Sequence, residues 1–443
     1  MSNEATAREV VARLQQAGFA AYWAGGCVRD RLLGREPADF DVATAATPSE
    51  VLRLFAGGLT VGAHFGVVLI PSKLVGGENE AAVEVATFRC DGLYSDGRRP
   101  DDVRFTREAR ADVERRDFTI NALLHDPIAG ETLDFTGGRA DLDKGLIRAV
   151  GEAEKRFAED RLRMLRAVRF AARLGFEIEA ETMRSIRRQA GGIAPVSCER
   201  IRNELTKMLT EGGAERAFAL LDETGLLAEV LPEVARLKGV AQPPNYHPEG
   251  DVWRHTLLLL KGLKAGAPAE LAWACLLHDT GKPASYSNDG RRIRFHGHAD
   301  TGARISEAIC RRLRFSNAAR ERIVAIVAGH MKPFDVSKMR EATFRRMARQ
   351  PEFGEVLQLH RLDCLASNGE LASYEAARQK AEALSEEQLK PQPCLNGHDL
   401  TALGYKPGEN YQQILAALED EQLEGRIVSR AEAIAWVREH FQL

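Results

Sequence analysis

Along this chain the apolar positions keep two different rhythms. In the first third, Val10, Leu14 and Ala17 recur at helical spacing and predict a helix over about residues 4–17. Val67-Val68-Leu69-Ile70 and Val83-Glu84-Val85-Ala86-Thr87-Phe88 are short β-rich runs and predict strands. Beyond about residue 151 strand signals fade and the helical period dominates to the end, broken at Pro243-Pro244 and Pro391-Gln392-Pro393. This pattern predicts an α+β domain over 1–150, followed by all-α segments over 151–240, 245–370 and 371–443. The last segment carries Ile414, Leu415, Leu418, Ile434, Trp436 and Val437, read as packing positions.

Composition narrows the class. At 443 residues with 44% apolar content the chain is long enough for more than one core. Its 61 basic and 64 acidic residues balance, so any nucleic-acid site must be a local patch. One such patch is predicted over 161–207, where eleven Lys/Arg face five Glu. There Arg163, Arg166, Arg169 and Arg173 fall along one helical stripe that could grip an RNA backbone. The seven cysteines (27, 90, 198, 275, 310, 364 and 394) are scattered and never spaced as CxxC, which argues against a disulfide framework or zinc ribbon and for a reducing compartment. Met1-Ser2-Asn3-Glu4 has no signal-peptide character, and no run approaches the roughly 18 apolar residues of a membrane span. A soluble cytoplasmic protein with no membrane association is expected.

The most informative stretch is Gly25-Gly26-Cys27-Val28-Arg29-Asp30-Arg31-Leu32-Leu33-Gly34, followed by Asp39-Phe40-Asp41. A glycine pair before a helix lets backbone N–H groups approach phosphates closely. Acids two apart on a strand share a face, so Asp39 and Asp41 can jointly hold divalent ions, and hard oxygen ligands suit Mg2+. Further along come Arg115-Arg116-Asp117-Phe118-Thr119-Ile120-Asn121-Ala122 and Glu159-Asp160-Arg161-Leu162-Arg163-Met164-Leu165-Arg166. Arginines bind phosphate oxygens, and Asp or Asn can bond ribose hydroxyls. Asp160 and Arg163, three apart, are expected to share a helix face. An acceptor carboxylate beside a guanidinium donor matches cytosine and adenine, which present an amino donor next to a ring-nitrogen acceptor. Guanine and uracil present the opposite order and would leave buried groups unpaired at roughly 1–3 kcal/mol each.

In this order the motifs resemble the polymerase-beta nucleotidyltransferase superfamily, specifically the bacterial class II branch of tRNA CCA-adding enzymes and poly(A) polymerases. The resemblance implies a polymerase-beta-like mixed sheet with helices as the catalytic head, then a helical neck for RNA binding and base recognition. It implies metal binding and catalysis by Asp39 and Asp41, with Glu84 as a third acid from a neighbouring strand. Gly25, Gly26, Arg29, Arg116, Asp117, Asn121, Asp160, Arg163 and Arg166 would bind the nucleotide. Residues 91–101 look like the family's flexible loop, Gly137–Leu142 like a hinge motif between head and neck, and Cys198–Leu205 like a motif that braces the neck.

A second constellation follows. His255, His278-Asp279 and Asp363 occur in the order H…HD…D, with His298 and His330 between them, and Lys282 one turn after Asp279. Imidazoles and carboxylates converging from separate helices can hold a transition metal and activate water. The order resembles the HD metal-dependent phosphohydrolases, with His298 and His330 either supporting the ligands from behind or holding a second metal. An HD domain over 245–370 and a helical tail over 371–443 are therefore expected.

The resemblance implies template-independent addition or repair of the 3′-terminal CCA of tRNA, with tRNA lacking CCA, CTP and ATP as partners and no obligate protein partner. The same motifs serve poly(A) and A-only addition. An HD phosphohydrolase with a non-catalytic RNA-binding head is the alternative from another class.

Overall fold

The computed structural model describes residues 2–61, 66–76, 82–91, 103–245 and 247–442. Almost all of the loop read over 91–101 lies outside the described residues. The chain forms two compact units, residues 1–232 and 233–443. The stretches read as head and as most of the neck fall in the first, those read as HD domain and tail in the second.

Helix α1 (Asn3–Gln16) starts where the Ser2 side chain accepts the Ala5 N–H. Val10 and Leu14 are fully buried, as their spacing predicts, whereas Ala17 lies past the last turn. The sheet comprises β1 (Ala21–Ala24), β2 (Asp41–Thr44), β3 (Leu59–Val61), β4 (Val67–Pro71), β5 (Ala82–Thr87), β8 (Leu123–Asp126) and β9 (Glu131–Asp134), in the order β3-β4-β5-β2-β1-β8-β9. β6 (Arg89–Asp91) and β7 (Val103–Phe105) form a separate hairpin. Within the main sheet β2 and β5 run parallel and every other pair is antiparallel.

Successive residues alternate faces on a strand, and both faces here are covered. Trp23, Val42 and Leu123 join one apolar cluster with α1, while their neighbours Ala24, Ala43 and Leu124 join another with Phe88 and Val113. Between the strands stand α2 (Gly26–Leu32), α3 (Pro48–Leu54), α4 (Ala109–Glu114) and α5 (Gly138–Asp143).

The neck begins with α6 (Ala153–Glu159) and α7 (Leu162–Leu174). A short parallel pair, β10 (Leu146–Ile147) with β11 (Glu177–Ile178), ties it to the end of the head. It continues through α8 (Ala180–Gln189), α9 (Cys198–Thr210), α10 (Ala214–Glu223) and α11 (Leu226–Val230). Leu162, Leu165 and Val168 of α7 are buried, each contributing about 1.5–3 kcal/mol.

Two expectations are corrected in the neck. Asp160 and Arg163 do not share a helix: Asp160 has extended backbone at the end of α6, and Arg163 lies in α7. The Glu-Asp-Arg-Leu-Arg run has helical composition, but the Asp160 side chain accepts the Leu162 N–H and so starts a new helix. Nor is the arginine stripe an open RNA-facing row. Arg169 is buried and paired with Glu204 of α9 at 2.6 Å, and Arg173 reaches Glu211 at 3.2 Å.

The second unit is helical: α12 (Pro232–Ala235, at the boundary), α13 (Val252–Lys261), α14 (Ala269–Leu277), α15 (Lys282–Ser285), α16 (His298–Arg312), α17 (Asn317–Gly329), α18 (Glu341–Ala348), α19 (Phe353–Ala366) and α20 (Ala372–Glu382). A hairpin absent from the sequence reading, β12 (Tyr286–Asn288) with β13 (Ile293–Phe295), interrupts them. The tail adds α21 (Glu386–Leu389), α22 (Gly397–Ala402), α23 (Glu409–Leu423) and α24 (Arg430–His440). Ile414, Leu418 and Val437 are buried in one core there, with Leu415, Ile434 and Trp436 packed against it.

Candidate active site and metal centre

A cleft of about 570 Å³ opens in the first unit between the sheet end of the head and α7 and α9 of the neck. Gly25 and Gly26, at the β1–α2 bend, form part of its wall. Gly25 has φ +76°, which calls for glycine, and a Cβ there would also crowd Arg116 Nη1 at 3.3 Å.

Asp41, the first residue of β2, faces the cleft and stands in register with Glu84 on parallel β5. Asp39 lies just before the strand. Partial burial, then the charge of Glu84, with Asp39 adding to it, push the Asp41 carboxyl up to about 6 against the pull of Arg116. The three acids therefore repel one another, an arrangement that a cation relieves. Of the three only Asp41 lines the cleft itself.

Beside them runs a continuous polar chain. Arg29 Nη1 donates to Asn121 Oδ1 at 2.7 Å, Asn121 Nδ2 to Asp117 Oδ1 at 3.2 Å, and Arg166 Nε to Asp117 Oδ2 at 2.7 Å. Burial pushes the Asp117 carboxyl up, but Arg166 and Arg163 outweigh it and hold it below the usual range. Arg29 is itself buried, with its guanidinium 5.3 Å from the Phe170 ring centroid, and acts as a strut of the cleft wall. Arg116 donates to Asp112 at 3.0 Å and to the Asn121 carbonyl at 3.3 Å, while its buried Nε has no hydrogen-bond partner.

On the neck side, Asp160 and Arg163 line the same cleft but are not paired with each other. Arg163 Nη1 is held by Glu159 at 2.6 Å and its Nη2 donates to the Arg115 carbonyl at 3.2 Å. Arg200 of α9 grips both oxygens of Asp160, at 3.2 and 2.7 Å. The simple alternative for this pair, an intrahelical salt bridge, is thus absent.

Sequence reasoning missed three members of the site. Asp112 is buried and receives both Arg115 and Arg116, a role visible in its i,i+3 and i,i+4 spacing to them. Phe170 carries the guanidinium groups of Arg29, Arg166 and Arg169 around its ring at 5.3, 5.2 and 4.3 Å. Arg200 is read in the sequence as part of a basic stretch and of the Cys198–Leu205 motif expected to brace the neck, not as a member of the site.

In the second unit, His255 (α13), His278 and Asp279 (after α14), His298 (start of α16), His330 (end of α17) and Asp363 (α19) converge. Each imidazole spends Nδ1 on a fixed partner: His255 on Glu249 (2.8 Å), and His278, His298 and His330 on the carbonyls of Cys275, Phe295 and Val327 (2.9, 2.9 and 2.6 Å). Such second partners orient a histidine for metal ligation through Nε2. Two sets of ligand atoms each lie within 4.8 Å of one another and share Asp279: His255 with His278, and His298 with His330. His255 Nε2 is 3.0 Å from Asp363, and His298 Nε2 is 3.2 Å from His330 Nε2. His255 Nε2, His278 Nε2 and Asp279 Oδ2 are buried and make no well-aligned hydrogen bond, being held only by ion-pair contacts with Asp363, Asp279 and Lys282, which fits ligands for a cation.

Burial pushes the Asp279 carboxyl up, but His278 and Lys282, the latter 2.7 Å away, outweigh it and hold it well below the usual range. Burial and then the charge of His278 lower His330 to about 3, whereas the Asp363 and Glu249 carboxylates on either side of the His255 ring outweigh burial and raise it to about 9. A pocket of about 690 Å³ opens beside the cluster, lined by Phe295, Met331 and Phe334 together with Asp279, His298, His330 and Asp363. Glu249 was also missed, since nothing near it in sequence marks it except its distance of six residues from His255. Among the described residues, the groups with three such converging ligands all lie in this unit. The acids of the head are more open.

Residues 21–148 match the family model of the poly A polymerase head domain, residues 175–238 that of the probable RNA and SrmB-binding site of polymerase A, and residues 251–368 that of the HD domain. The CCA-adding enzyme of Lactobacillus gasseri is 43% identical over 256 residues, covering 57% of this chain and 63% of that protein. That of Geobacillus stearothermophilus is 45% identical over 226 residues, covering 51% and 54%. The matched stretch thus spans between half and two thirds of these relatives' length. Over whole chains, the Bacillus stearothermophilus CCA-adding enzyme in complex with CTP has the same fold, with a TM-score of 0.75 at 28% identity and coverage of 99% and 98%. The Thermotoga maritima CCA-adding enzyme complexed with tRNA shares the fold at a TM-score of 0.61 and 19% identity, over 98% and 94%. With the three models matched in that order, the chain carries a poly A polymerase head domain, an RNA-binding region and an HD domain, with Asp41 of the head at the cleft and Glu84 in register beside it on β5.

Proposed function

We propose that this chain is a template-independent tRNA nucleotidyltransferase that adds or repairs the 3′-terminal CCA from CTP and ATP. One observation carries the reading: Asp41, in register with Glu84 on the neighbouring strand, lines a cleft beside the Gly25-Gly26 bend, and the other wall of that cleft holds Asp160 and Arg163 with their side chains unpaired with each other. Asp39, Asp41 and Glu84 would hold Mg2+, which when bound neutralises charge on the reacting phosphates and lowers the pKa of the attacking hydroxyl. The chain's own residues do the rest. The glycine bend and Arg116 seat the triphosphate, and the Asp117–Asn121–Arg166 network meets the ribose. Asp160 accepts from the exocyclic amine of cytosine or adenine, and Arg163 donates to the adjacent ring nitrogen.

Incubation of the full chain with tRNA lacking CCA and each nucleotide separately tests this. C incorporation followed by a single A is expected. Addition of A alone, or of a long A tract, would favour the A-only or poly(A) reading instead.

The HD centre supports a second activity, phosphate-ester hydrolysis with a transition metal held by His255, His278, Asp279 and Asp363, and with His298 and His330 as ligands of a second ion sharing Asp279. The chain has no described helix long and apolar enough to cross a membrane, and its seven cysteines are unpaired, three of them only partly buried. Both fit a cytoplasmic enzyme.

A further inference from the structure

The Asp160 carboxylate is not placed by its own helix. It lies at the break between α6 and α7, where backbone geometry alone leaves its side chain free to turn. Three bonds fix it. Oδ1 accepts from the Leu162 N–H at 3.1 Å and from Arg200 Nη1 at 3.2 Å, and Oδ2 accepts from Arg200 Nη2 at 2.7 Å. A carboxylate oxygen offers two in-plane acceptor positions, so Oδ1 is full and Oδ2 keeps one. A fork of two parallel N–H groups also sets the plane of the carboxylate, which a lysine could not do.

Arg200 is in turn held by its helix. Glu204, one turn further along α9, takes Arg169 of α7 at 2.6 Å in a buried pair, locking α9 onto α7. Arg163 is fixed independently, by Glu159 and by the carbonyls of Arg156 and Arg115. The two groups facing the base are therefore preset from different elements. We infer that Arg200 is a positioning residue for base selection: by gripping both Asp160 oxygens it leaves one acceptor for an exocyclic amine and none turned to donate or to tolerate a carbonyl. This inference rests on the reading of Asp160 and Arg163 as the base-recognising pair.

The test compares full-length R200M, R200K and D160A with the parent on tRNA lacking CCA, measuring kcat/KM for CTP, ATP, UTP and GTP. R200M is expected to lose about tenfold or more of the preference for CTP and ATP over UTP and GTP, mainly through KM for the correct nucleotides. R200K, with a single charged head, recovers part of the affinity and little of the preference. A lower kcat for all nucleotides with the preference intact would make Arg200 a purely structural tie and overturn the inference. If D160A loses the preference and R200M keeps it, the inference fails alone; if D160A keeps it, the base-reading assignment fails first. Should R200M not fold, R200Q, which keeps a polar N–H donor but is too short for the two-pronged grip on Asp160, carries the same comparison.

Discussion

Asp41 and Glu84 stand level on adjacent parallel strands, so the pairing of β2 with β5 itself brings two acids of distant sequence side by side, and Asp41 of the two lines the cleft. This costs stability. Like charges held close disfavour each other's ionisation, which is why the Asp41 carboxyl rises to about 6.

The sign of the resulting pH dependence follows. An acid whose pKa is raised on folding favours the fold most below its unfolded value and progressively less as pH rises through the folded one. Metal-free protein is therefore expected to lose stability between about pH 4 and 7 from this group. Asp41→Asn should remove that loss, raising stability at pH 8 by about 1 kcal/mol after discounting for solvent screening, while lowering nucleotide incorporation at least about 100-fold. Thermal melts in EDTA across pH, paired with incorporation assays, check both halves. A mutant less stable than the parent at pH 8 would show that the acids do not strain the fold.

Much of this site is legible in sequence because its groups lie in short local motifs. Gly25-Gly26, Asp41, and Arg116 with Asp117 line the cleft as read, whereas Asp39 lies just before the strand and outside the cleft lining. The Asp41–Glu84 pairing is not local: strand register over some forty residues is set by which apolar side chains fill each face of the sheet. Asp160 was misplaced for the opposite reason, since helical composition on both sides hid the break that its own side-chain bond to Leu162 creates. In the neck, charge composition suggested an open basic stripe, yet Arg169 is spent on Glu204 inside the fold. Ion-pair partners drawn from another helix cannot be read from one helix's periodicity.

The Asp117–Arg166 pair makes a prediction of opposite pH sign. Asp117 is held below the ordinary carboxylate range, so its contribution is present above about pH 4 and lost as pH falls through its folded value. Asp117→Ala should destabilise the chain by about 1–3 kcal/mol at neutral pH, because Asn121 and the partly exposed Arg166 lose their shared partner. The difference from the parent should shrink in acid. Urea melts at pH 7 and at pH 3 measure it, and an equal difference at both would refute the assignment.

For the HD centre, dialysis against a chelator and re-addition of Zn2+, Mn2+, Co2+ or Ni2+ should raise the melting temperature by several degrees, since a bound ion stabilises only the folded state. Asp279→Asn should lose that gain for both ligand sets at once, as Asp279 belongs to each. His330→Ala should lose only part of the metal uptake, measured as ions bound per chain. Full uptake by the Asp279 variant would remove the shared-ligand reading.

Gly281, two residues after Asp279, shows how backbone approach supports that centre. A Cβ built there would fall 2.1 Å from the His298 carbonyl and 2.5 Å from the Gly302 N–H, both backbone atoms at the start of α16. Neither can yield without moving the helix that carries His298. Gly281→Ala should therefore displace α16, costing about 1–3 kcal/mol and weakening metal uptake, while Gly290→Ala in the β12–β13 turn, where a Cβ meets open space, should cost only the strain of its positive φ. Because the displaced ligand belongs to the His298–His330 set, the variant should retain the ion bound through His255 and His278. Titration of metal against each variant separates the outcomes: loss of both ions would mean that the two ligand sets are built as one, and loss of neither would mean that α16 does not set the position of His298.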